Sequence, residues 1–121
     1  MVFNPRDFLE IASQLFGDRR YHHEAGWRTI VGRAYYASFL ASHKKLQELG
    51  ESFSDTAEVH QEVIDKVMER NSTTANKLFT LRTERNKADY NWDATFSNNA
   101  LPGLLRFAEI VVNDVETYKR R

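Results

Sequence analysis

Apolar residues recur along most of the chain at intervals of three and four, the spacing of one face of an α-helix. Phe8, Ile11, Ala12, Leu15 and Phe16 form the first such set. Asn4 precedes it as a cap, and Pro5 takes the first helical position, where a missing N–H costs nothing. Gly17 and Asp18 end it. A second helix is predicted from about Glu24 to Leu49, with Gly50 as its stop. Little of its middle, Trp27 to Ala41, is polar, so it belongs at the centre of the fold. Its small residues Gly32, Ala34, Ala37, Ser38 and Ala41 permit close approach of a neighbouring helix.

Asp55-Thr56-Ala57-Glu58 reads as a capping box opening a third helix, with Val59, Val63, Ile64, Val67 and Met68 as its stripe. Asn71 to Thr74 reads as a break, and a fourth helix spans about Thr74 to Tyr90. Asn91 to Ser97 is a loop holding Trp92 and Phe96. A fifth helix runs from about Asn99 to Lys119, with Pro102 tolerated in its first turn. No segment of length alternates like a strand. The prediction is an all-α, up-and-down bundle of about five helices in one domain over residues 1–121.

The pattern breaks in the fourth helix. Its stripe begins with Ala75, Leu78 and Phe79, then continues at helical spacing into Arg82, Arg85, Asn86 and Asp89. A face that starts apolar and turns charged lines a cleft or an interface, where charge needs partners. Arg33 is the second anomaly, a guanidinium inside the most apolar stretch of the second helix. It needs a carboxylate or an anionic ligand, and Asp89 is one candidate partner. Such a pair serves equally well as a clamp within the bundle, with Tyr35 and Tyr36 as ordinary core residues.

Composition narrows the chemistry. The 17 Lys and Arg balance 17 Asp and Glu, which argues against salt-driven coating of nucleic acid. The charge is unevenly spread: residues 51–70 are acidic, while Lys77, Arg82, Arg85 and Lys87 outnumber Glu84 and Asp89 in the segment that follows. The sequence holds no Cys, which removes disulfides, thiolate ligands and a thiolate nucleophile. His22, His23, His43 and His60 make no paired zinc-ligand motif, and the five glycines form no phosphate-cradling loop. No metal or cofactor is expected. His22 and His23 are expected in solvent, and His60 at the surface or rim. The longest uncharged run, Ala94 to Leu105, is too short to cross a bilayer, and the N-terminus has no signal pattern. The expectation is a cytoplasmic protein without a membrane partner.

Two of these segments carry a resemblance. Arg33-Ala34-Tyr35-Tyr36-Ala37-Ser38-Phe39 resembles the Arg-x-Tyr-Tyr-Ala-x-Phe signature of HEPN-domain proteins. Leu81-Arg82-Thr83-Glu84-Arg85-Asn86-Lys87-Ala88-Asp89-Tyr90 resembles the later Leu-Arg-x-x-Arg-Asn-x-Ala-Asp-Tyr motif of the prokaryotic branch. Val59-His60-Gln61-Glu62-Val63-Ile64 is similar to a histidine-containing segment between them. The resemblance implies a helical bundle that dimerises, with the motif helices at a shared cleft. Many HEPN domains are metal-independent ribonucleases using an arginine, a polar neighbour and a histidine a few positions on. Many act as toxins beside a minimal nucleotidyltransferase antitoxin, or in antiviral defence. Arg85 matches the arginine and Asn86 the polar neighbour, but Tyr90 stands where a histidine is expected.

Cleavage of RNA without a metal needs a base for the 2′-hydroxyl, charge stabilisation on phosphorus and a proton for the leaving oxygen. Arg82 and Arg85 suit charge stabilisation, and Asn86 the orientation of a phosphate or hydroxyl. Tyrosine, with an ordinary pKa of about 10, is a poorer base than histidine at about 6.5. Asp89 serves as base if freed from Arg33, and His60 only if the third helix brings it close. The expected site is therefore Arg85, Asn86, Asp89 and Tyr90 for chemistry, with Arg82, Arg33, Tyr36 and His60 for RNA or nucleotide binding. Three readings follow: an RNA-acting domain in a toxin–antitoxin or defence pair, a non-catalytic nucleotide- or partner-binding dimer module, and a plain helical dimerisation domain.

Overall fold

A computed structural model describes residues 3–120. Among them there are five α-helices, one 3₁₀ turn and no strand: α1 Arg6–Phe16, the 3₁₀ turn Arg19–Tyr21, α2 Glu24–Glu48, α3 Val59–Arg70, α4 Ser72–Tyr90 and α5 Leu101–Val115. The all-α bundle is as predicted. α2 is its axis and packs against the other four helices. Ile30, Val31, Ala34, Tyr35, Ala37 and Phe39 are all buried along it. Its buried hydroxyls are satisfied within the helix, Ser38 donating to the Ala34 carbonyl at 3.0 Å and Ser42 to the Ser38 carbonyl at 2.8 Å.

The ends are set by local chemistry. The Asn4 side chain accepts from the Arg6 N–H at 3.0 Å, but α1 begins at Arg6, and Pro5, expected in the first helical position, sits just before it as the capping residue. Gly50, at φ 99°, turns the chain out of α2 with a hydrogen bond from its own N–H to the Gln47 carbonyl. The capping box expected at Asp55 does not form. Residues 55–58 are a turn, α3 begins at Val59, and Glu62 instead receives the Ser54 N–H at 2.9 Å and hydroxyl at 2.7 Å. The predicted break at Asn71–Thr74 shrinks to Asn71, whose side chain accepts from the Thr74 N–H and so caps α4. α5 starts two residues later than expected, with Pro102 in its first turn, and stops at Val115.

Leu46, Val63, Val67, Leu78, Leu81, Val111, Val112 and Val115 fill the main core between α2, α3, α4 and α5. A second cluster joins Ala12, Ile30, Val31, Ala88, Phe96 and Leu101 at the other end of α2. Asp114 ties three segments together: its Oδ2 accepts from Thr74 and Tyr118 hydroxyls at 2.8 Å each and from Asn71 at 3.2 Å. No described helix is long and apolar enough to cross a membrane.

Candidate functional site

The apolar face of α4 runs Ala75, Leu78, Leu81 and then Arg85, which is 7% exposed. The helical period that buries the leucines carries Arg85 into the bundle with them. There its guanidinium lies over the Tyr35 ring at 5.1 Å and the Tyr36 ring at 5.4 Å. Faces of tyrosine rings attract a desolvated cation. Its Nη1 also donates to Asp89, one turn along, at 3.3 Å.

The Arg33–Asp89 pair read from the sequence is absent. Asp89 is taken by Arg85 on its own helix, at the i,i+4 spacing that needs no reach between helices. Arg33 turns toward α1 and packs over the rings of Phe8 at 4.9 Å and Tyr36 at 5.6 Å. Tyr36 therefore has two guanidiniums beside it. The link between α2 and α4 is made by Arg28 instead. It pairs with Glu24 at 3.0 Å and donates to the carbonyls of Ala88 at 2.9 Å, Asn91 at 3.0 Å and Ala94 at 2.5 Å. Glu24 in turn receives the Phe96 N–H at 3.1 Å. The sequence held one trace of this clamp, the Glu24/Arg28 spacing on one helix face.

α3 brings His60 to the same place. Its Nδ1 shares a 2.5 Å hydrogen bond with the Tyr35 hydroxyl, and its ring stacks on Phe39 at 4.3 Å. No described residue hydrogen-bonds to its Nε2. Burial first, then the positive charges of Arg85 and Arg82, hold the His60 pKa below its ordinary value. The imidazole is thus neutral at pH 7. Burial pushes the Tyr35 phenol above its ordinary range, so it stays protonated. Tyr35 was absent from the sequence-predicted site; inside an apolar run it reads as core.

Arg82 donates from Nη1 to Gln61 on α3 at 3.1 Å. The Nε atoms of both Arg82 and Arg85 are buried without a hydrogen-bond partner. Buried donors left unpaired carry a penalty, which an acceptor-rich anion relieves. The site thus gathers Arg82, Arg85, Asp89, Tyr36 and His60, with Arg33 on the far side of Tyr36. It does not gather Asn86 and Tyr90. These are exposed, Tyr90 at 73%, and line a shallow depression with Thr83, Lys87 and Asn91. Among the described residues no cluster suits a metal ion. His22 and His23 have structural partners rather than solvent alone: His22 Nε2 meets the Phe16 carbonyl at 2.7 Å, and His23 Nδ1 accepts from the Gly26 N–H and caps α2.

No family model matches the chain, and no solved structure matches it. Its sequence is 31% identical to the uncharacterized protein MJ0628 of Methanocaldococcus jannaschii, over 88% of this chain and 74% of that protein.

Proposed function

The chain belongs to the family of the archaeal protein MJ0628, and on that premise we propose that it is an RNA-acting, HEPN-like domain that takes a backbone phosphate at Arg82 and Arg85. The observation that carries this reading is the pair of buried, unpartnered Nε atoms on those arginines. Guanidinium matches phosphate in shape as well as charge. The two motifs that resemble HEPN signatures contribute Arg82, Arg85 and Asp89 from α4, and Arg33, Tyr35 and Tyr36 from α2. The proposal extends to a homodimer, and to a toxin–antitoxin or antiviral role beside a minimal nucleotidyltransferase partner.

The experiment compares wild type with Arg85→Ala on mixed tRNA and mRNA in EDTA. Binding or cleavage by wild type, reduced at least tenfold in the variant, supports the reading. Equal behaviour of the two proteins refutes it. A second reading, a non-catalytic nucleotide- or partner-binding module, is favoured by one observation: Tyr90, where the resemblance implies histidine, projects into solvent. Saturable nucleotide binding without RNA cleavage is its signature.

A further inference from the structure

We infer that Arg33 forms a second phosphate subsite, joined to the Arg82 and Arg85 subsite through the shared Tyr36 ring, so that the site takes successive phosphates of one ribonucleotide strand. This rests on the RNA-acting reading of that site and names its ligand as a strand, not a mononucleotide. Arg33 sits half-buried in the middle of the central helix. Its guanidinium lies over the Phe8 ring of α1 at 4.9 Å and over Tyr36, one turn along α2, at 5.6 Å. Among the described residues no carboxylate pairs with it and no acceptor takes its N–H groups. The ring contacts fix where the charge stands and leave its donors to water or a ligand.

The Tyr36 ring also carries Arg85, at 5.4 Å. Arg33 is drawn to Phe8 on one side and Arg85 to Tyr35 on the other, so the two charges diverge from the ring and do not converge on one phosphate. Acid nearby is already committed: Asp89 pairs with Arg85, and Glu84 with Lys87. An anion at Arg82 and Arg85 alone leaves Arg33 unmatched. A nucleic-acid strand carries one negative charge per nucleotide and matches both positions at once. A mononucleotide with a single phosphate matches one.

The test measures binding of the full chain to a 2′-O-methyl oligoribonucleotide, which cannot be cleaved at the 2′-oxygen, in EDTA and across a series of KCl concentrations. Arg33→Met keeps an aliphatic stem against Phe8 and Tyr36 and removes the charge. It is expected to weaken binding about tenfold at low salt, the scale of one lost charge-assisted contact. The slope of log K against log salt is expected to fall by about 0.7, one phosphate contact on a single strand. Arg33→Lys is expected to restore the slope, because it restores the charge; a role in packing alone would change stability and leave the slope untouched. Arg33→Gln, neutral and polar, serves the same measurement should the methionine variant fail to fold. AMP competes at Arg82 and Arg85, and its inhibition constant is expected to agree between wild type and Arg33→Met within about twofold, since screening limits the reach of a distant charge. A wild-type salt slope in the neutral variants overturns the inference. So does an equal loss of AMP and strand binding, which makes Arg33 part of the first subsite. In either case Arg85→Ala still losing the strand leaves the RNA-acting reading standing. A wild type that does not bind the strand removes both.

Discussion

The Tyr35 hydroxyl and His60 Nδ1 lie 2.5 Å apart, and this bond fastens α3 to the central helix at the edge of the candidate site. The Tyr35 side chain is buried, with the Arg85 guanidinium as the other polar group beside it. Tyr35→Phe keeps the ring that stacks against Phe39 and Arg85 and deletes only the bond. The expected cost is about 1–2 kcal/mol of folding stability. The midpoint of urea denaturation measures it, and an unchanged midpoint would show that the bond contributes nothing.

Arg28 closes the C-terminal end of α4. Its guanidinium satisfies carbonyls that no intrahelical N–H reaches, and it continues into the loop that carries Trp92. Arg28→Ala is expected to cost about 1.5–3 kcal/mol, since charged hydrogen bonds to the helix end and the following loop are lost. Hydrogen exchange should accelerate most at Ala88 through Phe96. Uniform acceleration over the chain would refute the local clamp.

Gly26 sits where the 3₁₀ turn presses on α2. A Cβ added there runs into the Tyr21 carbonyl, which is backbone and cannot rotate away. Gly26→Ala is expected to destabilise by about 1–3 kcal/mol despite alanine's higher helix propensity. Gly32, with open space around its Cβ position, is the control: Gly32→Ala should be neutral or stabilising. Thermal denaturation of the two variants separates the effects.

Stability should fall with acid near neutrality. His43 and His60 are both held below the ordinary histidine pKa, by burial in each case, with the Arg85 and Arg82 charges adding to it at His60. The unfolded chain therefore binds protons that the folded chain refuses. Their contribution is complete above the unfolded value near 6.5 and is lost as pH falls toward the lowered folded values. His43 Nε2 is buried without a partner between Phe39 and Phe53. His43→Phe should flatten the slope of stability between pH 7 and 5. An equal slope in the variant would assign the effect elsewhere.

The periodicity of apolar residues settled most of the fold before any packing was known. Helical spacing follows from geometry within one element, so α1, α2, α4 and α5 were legible from Phe8, Tyr35, Leu81 and Val111 and their neighbours. Gly50 and Asn4 were legible because turns and caps depend on a few adjacent residues. The opening of α3 was misread because Glu62, not Glu58, receives Ser54, a choice made by where the chain lies after α2.

The candidate site was half legible for the same reason. Arg82 and Arg85 stood out as charge on an apolar face, which a single helix reveals. Asp89 is an i,i+4 partner on α4 itself, but Gln61, Tyr35 and Tyr36 come from other helices, and no spacing rule reaches across them. Only the tertiary structure turns Arg33 to Phe8 on α1, gives Arg28 the end of α4, and sets His60 against Tyr35. Residues close along one helix are decided by its 3.6-residue period. Residues that meet from different helices are decided by how the bundle packs, where each side chain competes with every other for the same buried space.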